Sequence, residues 1–255
     1  MFKSFGINRT GADVMSVLVV GSVALDSVIT PWGKAERVVG GSAIYFAIAA
    51  SVFTPVRLVG VIGEDFPRDS LELLKQRNID LQGLKIIPGG KTFFWRGEYA
   101  HNMNQRETKI LELNVFADFH PVLPPEYQKT PIVFLANIDP DLQLEVLNQM
   151  SKPRLVVADT MNIWIEQKRE RLLELFKKVD ILIINDSEAV QLTNCFNLVA
   201  AAEIIQQLGP TTVIIKKGEH GAMLFNGEDI FCLPAFPLRQ VVDPTGAGDS
   251  FAGGL

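Results

Sequence analysis

The sequence is poor in cysteine and histidine, and this excludes two ways of stabilising a small fold. It holds two cysteines, Cys195 and Cys232, and three histidines among 255 residues. Two cysteines cannot build a disulfide framework, and the scattered histidines and cysteines lack the spacing of a zinc site. We therefore expect both thiols to be free and buried, as in the reducing cytosol.

Clustered positive charge and long apolar runs are also missing. The formal charge is −5, with no long basic stretch, which argues against a nucleic-acid partner. No run reaches the roughly 18 consecutive apolar residues of a membrane span. The apolar stretch 14–25 follows Lys3 and Arg9, as in a signal peptide. Because Gly21 interrupts this stretch and Asp26 ends it, it predicts a first β-strand of a cytoplasmic protein instead.

What the chain does contain is a regular alternation of strand and helix patterns. Hydrophobic residues make up 47% of the chain and charged residues 21%, which suffices for a large core. Six short runs are nearly all apolar rather than alternating, as strands covered on both faces require. The alternation predicts an α/β fold with a mostly parallel sheet and helices on both faces. The predicted strands are 16–20, 56–62, 132–136, 155–159, 181–185 and 212–216, and the predicted helices are 41–53, 67–77, 141–150, 164–178 and 198–208.

Two segments do not follow this alternation, and together they predict a small β-lid. Segment 23–39 contains short extended pieces, and segment 91–113 predicts two antiparallel strands around an Asn-rich turn. Asn226 and Gly227 separate two further short strands and predict a hairpin. Since no repeat or linker interrupts the chain, we expect a single domain over 1–255.

Glycines and an aspartate stand together where the last predicted helix begins, in the stretch DPTGAGDS. Gly246, Ala247 and Gly248 let the backbone approach a ligand closely, and the amides at a helix start attract anions. Asp249 follows directly. It is placed to act as a general base for a hydroxyl group as a phosphate arrives, or merely to cap the helix.

A second polar cluster follows the predicted strand 181–185. Asn185 and Glu188 are three residues apart at a helix start, where their side chains can face one point. An amide and a carboxylate suit a hydrated Mg²⁺ ion. The alternative is a helix cap built by Ser187 and its neighbours.

A third cluster follows the predicted strand 212–216. Lys216 or Lys217 could bind phosphate while Gly218 and Gly221 let a nucleotide lie against the backbone. The alternative is a glycine turn with two solvated lysines. No Walker sequence G-x-x-x-x-G-K-[ST] occurs, and the first predicted strand is not followed by G-x-G-x-x-G.

Small polar positions near the first helix are candidates for binding a second substrate. Gly40 and Gly41 open a helix of small residues and could bring backbone amides to a polar substrate, or they could serve tight helix–sheet packing. Asn137 and Asp159 stand at or beyond strand ends that we expect to face the ligand cleft, and we take Asn137 as a candidate substrate contact.

Taken in order along the chain, these clusters resemble the ribokinase-like (PfkB) carbohydrate kinase family. The resemblance covers nearly the whole chain and is most specific at D-P-T-G-A-G-D, paired with N-x-x-E. It implies a Rossmann-like sheet with a β-lid that closes over substrate, and ATP- and Mg²⁺-dependent phosphorylation of an alcohol. It also implies these roles: Asp249 as catalytic base, Gly246, Ala247 and Gly248 as anion hole, Asn185, Lys216, Gly218 and Gly221 as ATP contacts, Asp26, Gly40 and Gly41 as acceptor contacts, Glu188 as an Mg²⁺ ligand through water, and Asp243 and Thr245 as a site for a monovalent cation such as K⁺.

The sequence departs from this family at two points. Tyr45 stands where many members carry an Asn that bonds acceptor hydroxyls, which predicts an aromatic, smaller or differently placed acceptor. The chain also ends at Leu255, where family members continue, so we expect a fragment or a half-open nucleotide pocket that lacks the C-terminal elements.

The leading expectation is therefore a carbohydrate kinase acting on a small sugar-like substrate. Alternatives are a nucleoside or vitamin-precursor kinase, and a non-catalytic sugar- or nucleotide-binding protein. Arg96 and Arg106 in the lid could meet a carboxylate or a phosphate of the substrate, which would indicate a sugar acid or a sugar phosphate, although surface solvation is the favoured role for both. The aromatic residues of the lid could stack on a base, pack the lid or form a homodimer contact, and packing is favoured. They are Trp32, Phe93, Trp95 and Tyr99.

Overall fold

The computed structural model of the chain describes residues 15–103 and 105–255. Lys3 and Arg9, which bear on the signal-peptide question, lie outside the described residues. The strands are β1 (Val17–Val20), β2 (Ala24–Thr30), β3 (Gly33–Gly40), β4 (Val56–Gly63), β5 (Ile79–Ile87), β6 (Phe93–Tyr99), β7 (Arg106–Glu112), β8 (Ile132–Leu135), β9 (Leu155–Asp159), β10 (Ile181–Asn185), β11 (Thr212–Lys216), β12 (Ala222–Asn226) and β13 (Asp229–Leu233). The helices are α1 (Ser42–Ala50), α2 (Arg68–Gln76), α3 (Pro140–Gln149), α4 (Asn162–Gln167), α5 (Arg169–Phe176), α6 (Asp186–Thr193), α7 (Leu198–Gln207) and α8 (Ala247–Gly253).

Among the described residues, nine strands form one large sheet. Their order is β13-β12-β11-β10-β9-β8-β1-β4-β5. Seven neighbouring strands of this sheet are parallel, namely β11, β10, β9, β8, β1, β4 and β5. Strands β12 and β13 extend the sheet as an antiparallel hairpin. All six strands expected from apolar runs are present, and the prediction of a mostly parallel α/β fold is confirmed.

Helices cover both faces of this sheet. On one face, α1, α2 and α8 pack against side chains such as Val19 and Leu58. On the other face, α3 to α7 pack against side chains such as Leu18 and Ile184. Neighbouring residues of β1 thus enter different apolar layers, which explains why this strand has no polar alternation.

A second sheet of four strands, in the order β3-β2-β6-β7, comes from the two segments 23–39 and 91–113. We call it the lid sheet. Strand β2 begins four residues after β1 ends, so the lid sheet starts at the carboxyl edge of the large sheet. Antiparallel pairing joins β2 to β3 and β6 to β7, while β2 and β6 are parallel.

Two local expectations need correction, and one strand lies outside the predicted set. The helix predicted over 164–178 is divided into α4 and α5, because Lys168 has φ −132 and interrupts the helical backbone. Strand β5 was not predicted, since it lies at the sheet edge and its buried and exposed residues are mixed. The thiols are not both buried: Cys232 is exposed on β13 and Cys195 is partly exposed.

No helix in the described part of the chain has the length and apolar character needed to cross a bilayer.

Candidate active site

The polar residues singled out in the sequence meet at the carboxyl edge of the large sheet. Asp159, Asn185 and Lys216 are the last residues of β9, β10 and β11, which are neighbours in the sheet. Parallel strands present their carboxyl ends on one edge, which is where open α/β sheets bind ligands. Asp249, at the start of α8, lies close enough to Asp159 and Lys216 for its carboxylate to interact electrostatically with both.

The start of α8 exposes the backbone of residues 246–249, a segment that we call the cradle. Gly246 has φ 72 and caps the helix in a left-handed conformation that favours glycine. A Cβ atom there would lie 2.3 Å from the Tyr45 ring. Within α8, the amides of Gly248 and Asp249 have no hydrogen-bond acceptor among the described residues. The amide of Ala247, which was expected in the anion hole, instead donates to the Pro244 carbonyl oxygen at 3.1 Å. This helix start therefore offers two free donors to an anion.

An ammonium group lies beside this cradle. A Cβ atom on Gly248 would stand 3.2 Å from Lys216 Nζ, and Lys216 Nζ forms an ion pair with Asp159 Oδ2 at 3.2 Å. Burial lowers the pKa of Lys216, but the charges of Asp159 and Glu188 outweigh burial and raise this pKa above its usual value. Lys216 is therefore held in its cationic form where a phosphate would meet the cradle amides.

Asp249 has the properties of a proton acceptor. Burial, with a further contribution from Asp159, raises the pKa of its carboxyl to about 7, although Lys216 and Arg106 act in the opposite direction. A general base works best when its pKa lies near the working pH. The acidic group is not needed as a helix cap here, since α8 has no side-chain cap.

Asn185 and Glu188 bond to each other in a reciprocal helix cap. Glu188 N–H donates to Asn185 Oδ1 at 2.8 Å, and Asn185 N–H donates to Glu188 Oε2 at 2.9 Å. The cap considered from the sequence used Ser187, whereas the observed one uses the two candidate ligands themselves. Burial, followed by the charge of Asp159, raises the pKa of Glu188 to about 7.

Asp26 and Tyr45 form the opposite wall of the site. Tyr45 Oη donates to Asp26 Oδ2 at 3.4 Å, and a Cβ atom on Gly40 would lie 1.9 Å from the same oxygen. Burial raises the pKa of Asp26 to about 6, while the Gly41 amide opposes this shift. Since the Tyr45 ring also packs on Gly246, this side chain joins the Asp26 carboxylate to the cradle.

The other sequence candidates are held by contacts within the chain. A Cβ atom on Gly221 would collide with the Leu233 carbonyl oxygen, and one on Gly41 with the Ser22 carbonyl oxygen. Gly218 lies in a short 3₁₀ turn, so packing and turn geometry account for these glycines without a ligand. The side chain of Asn137 accepts a hydrogen bond from Trp164 Nε1 at 2.9 Å and contacts the Met161 sulfur through its amide nitrogen at 3.1 Å.

The loop before the cradle is tied to the lid sheet. Asp243 Oδ1 accepts from the Thr245 amide at 2.9 Å, and the hydroxyls of Thr245 and Tyr99 are 3.2 Å apart. Tyr99 faces Arg106 across the β6–β7 ladder. The lid sheet thus reaches the helix start that carries Asp249.

Arg106 has a larger part in the site than the sequence indicated. Its positive charge lowers the pKa of Asp26, Glu188 and Asp249, which come from three separate elements. Its guanidinium also lies 5.5 Å from the centre of the Trp95 ring. The favoured expectation of surface solvation is therefore incomplete, because the chain folds this exposed arginine toward the acidic cluster.

The lid aromatics mostly pack within the chain. Phe93 stacks on Phe116 with ring centres 5.4 Å apart, and Trp95 Nε1 donates to Thr108 at 3.2 Å. Trp32 is 58% exposed and is the member of this set that has an open face. The packing interpretation accounts for Phe93 and Trp95.

The residues present fit a magnesium-bound phosphate. The cradle donors and Lys216 supply positive partners, and the carboxylates of Glu188 and Asp159 stand nearby. No group of three or more His, Cys, Asp or Glu close enough to hold a metal occurs in the described ranges. Mg²⁺ retains several waters and binds through few carboxylates together with phosphate oxygens, so this sparse donor set suits it.

Comparison with known proteins agrees with this geometry. A cytidine kinase of Thermococcus kodakarensis is 32% identical over 249 residues, spanning 95% of this chain and 87% of that protein. The crystal structure of a Methanocaldococcus jannaschii nucleoside kinase has a TM-score of 0.75 at 21% identity, over 96% of this chain and 84% of that one. The ribokinase of Cryptococcus neoformans var. grubii in complex with ADP has a TM-score of 0.75 at 24% identity, over 93% and 84% of the two chains.

The family assignment rests on nearly the whole chain. The sequence profile of the pfkB family carbohydrate kinases matches residues 16–255, which include the large sheet, the lid sheet and the cradle at α8. The ribokinase-like fold expected from the sequence is confirmed by the solved structures. The protein belongs to the pfkB family of carbohydrate kinases.

Proposed function

We propose that this kinase transfers the γ-phosphoryl group of ATP to a hydroxyl group of a nucleoside. The observation that carries the proposal is the position of Asp249, a carboxyl with a pKa of about 7 beside two free amides and the Lys216 ammonium. The nucleoside is favoured over a simple sugar because the relative that is 32% identical along 95% of this chain is named a cytidine kinase. A sugar acceptor, the leading expectation from the sequence, becomes an alternative outcome of the test.

The chain's own groups divide the reaction between them. Asp249 accepts the proton of the acceptor hydroxyl while the new O–P bond forms and the bond to ADP breaks. The amides of Gly248 and Asp249, with Lys216, stabilise the negative charge on the transferred group. Glu188 would hold a Mg²⁺ ion through water, and the ion would neutralise charge on the phosphate oxygens.

Further roles complete the proposal. Asp26 binds an acceptor hydroxyl, with Gly40, Gly41 and Asn137 shaping the space beside it, while Asn185, Gly218 and Gly221 lie on the nucleotide side. Asp243 and Thr245 are proposed to border a K⁺ site. We also propose one cytoplasmic kinase domain over the chain, and a homodimer formed through the lid sheet. The lid sheet exposes the apolar side chains Ile29, Trp32, Val38 and Leu111.

The test is an assay of ADP release and product mass with cytidine, other nucleosides and ribose. Asp249→Asn should lower kcat by about 10²–10⁴-fold, the usual contribution of a general base, and leave ADP binding measurable by calorimetry. Asp229→Asn, an exposed change on β13, is the matched control and should leave kcat unchanged.

Three outcomes would contradict the proposal. Unchanged turnover of Asp249→Asn removes the assignment of the base. Phosphorylation of ribose without any nucleoside makes the protein a sugar kinase. Binding of ATP and nucleoside with no product from any acceptor makes it a binding protein on a kinase fold.

A further inference from the structure

A buried ion pair spans the end of the large sheet, and its acidic member, Asp159, has no role in the proposed reaction. Asp159 ends β9 and Lys216 ends β11, and β10 lies between these strands. The side chain of Asp159 is 4% exposed and that of Lys216 is 17% exposed. Removing two charges from water is costly, and such a pair is weak evidence for stability. Its presence at the ligand edge therefore calls for a functional reason.

The Asp159 carboxylate is itself held in one orientation. Its Oδ1 accepts from the Thr160 amide at 2.9 Å, and its backbone carbonyl accepts from Gln143 Nε2 at 3.1 Å. Its Oδ2 is the atom closest to Lys216 Nζ. The fixed Asp159 carboxylate thus accepts from the ammonium of Lys216, whose long side chain would otherwise have several rotamers.

The position at which Lys216 is held coincides with the cradle. Its Nζ would be 3.2 Å from a Cβ atom on Gly248, whereas its carbon atoms Cδ and Cε would be 3.8 Å away. The ammonium is therefore the part of the side chain nearest to the free amides. The ion pair with Asp159 holds the Lys216 ammonium beside these amides before any phosphate binds.

We infer that Asp159 is a positioning residue that acts through Lys216 by holding its ammonium at the phosphoryl-transfer cradle. This inference rests on the proposed function, because it assigns a task only if a phosphate occupies the cradle. Asp159 touches neither the acceptor nor the transferred group in this assignment. Its contribution is orientation in advance of binding, so that less reorganisation is needed when charge develops.

The test is a double-mutant cycle on kcat with Asp159→Asn, Lys216→Met and both together. Lys216→Met should lower kcat by about 10²–10³-fold, as for loss of one preorganised donor. Asp159→Asn should lower kcat at least tenfold, with acceptor KM changed by less than about twofold. In the Lys216→Met background, Asp159→Asn should have no further effect on kcat.

Two further measurements separate positioning from simple folding support. Calorimetry of a non-hydrolysable ATP analogue without Mg²⁺ should show weaker binding for Asp159→Asn and Lys216→Met, a readout independent of turnover. Lys216→Met leaves the Asp159 charge buried and unpaired. The double variant, which removes this charge, should therefore have a higher Tm than Lys216→Met alone. Asp139→Asn, which alters the Lys168–Asp139 ion pair, is the matched control and should leave kcat unchanged.

The outcomes are distinct from those of the proposed function. If the wild-type chain phosphorylates a nucleoside but the two substitutions act additively on kcat, the positioning role is wrong and the kinase assignment stands. If Asp159→Asn instead raises the Mg²⁺ requirement in both backgrounds, Asp159 is a metal ligand and the inference is likewise overturned. A wild-type chain without any turnover contradicts the proposed function itself.

Discussion

The contact between Gly246 and the Tyr45 ring allows a quantitative test with Gly246→Ala. Gly246 has φ 72, and an added Cβ would lie 2.3, 2.4 and 2.5 Å from three atoms of the ring. Gly89 is the matched control, because its φ is 67 and a Cβ there would meet nothing within 4 Å. The two substitutions thus share the backbone strain and differ in the collision.

The two contributions have separate magnitudes. An alanine in the left-handed region costs about 1–2 kcal/mol, and we expect this cost for both variants. Forcing extra volume into a packed contact adds about 1–3 kcal/mol at Gly246 alone. In a protein of this size 1 kcal/mol corresponds to about 2–4 °C in Tm. Gly246→Ala should therefore unfold roughly 2–12 °C below Gly89→Ala.

The assay is thermal unfolding of both variants without nucleotide, followed by kcat measurements. Gly246→Ala should also lose most of its turnover, because the ring and the cradle cannot both keep their positions. Gly89→Ala should retain the activity of the wild-type chain. Equal Tm values for the two variants, with Gly246→Ala fully active, would refute the packing of Tyr45 on the cradle.

Three further predictions concern the acidic cluster and the lid. Tyr45→Phe removes one hydrogen bond to Asp26, worth about 0.5–1.5 kcal/mol. In steady-state assays this change should raise acceptor KM about two- to tenfold. An unchanged KM would show that this bond does not orient Asp26. The pKa values of Asp26, Glu188 and Asp249 are raised to about 6, 7 and 7. Between about pH 4 and 7 the folded state therefore binds more protons than the unfolded state, and Tm should fall as pH rises through this window. A Tm that climbs from pH 5 to 7 in calorimetry would contradict this. Arg106→Met should move the acidic limb of the kcat/KM profile to higher pH, because the arginine lowers the pKa of Asp249, and a profile that does not move would place Arg106 outside the site.

Much of the scaffold follows from local sequence. The strands of the parallel core are continuous apolar runs, which suit burial on both faces. The hairpin of β12 and β13 was expected from Asn226 and Gly227, and Gly227 indeed has φ 58. These features depend on neighbours within a few residues, so the sequence carries them directly.

Edge elements were harder to predict from the sequence. Strand β5 mixes polar and apolar residues because it lies at the sheet border. It is a strand because it pairs with β4, and its own hydrophobic pattern does not indicate one. The position of the polar clusters at the strand ends was predictable, since parallel strands share one carboxyl edge. The hydrogen bonds that these clusters form were not, as the reciprocal cap of Asn185 and Glu188 shows.

The sequence by itself determined the α/β alternation, the polar strand ends and the glycine-rich start of the last helix. Only the tertiary structure decided the partners that set the chemistry. Asp159 and Lys216 are 57 residues apart and Tyr99 and Thr245 are 146 apart, so no local pattern could reveal these contacts. Charge and burial act through space, and the pKa of Asp249 therefore depends on residues that only folding brings near it.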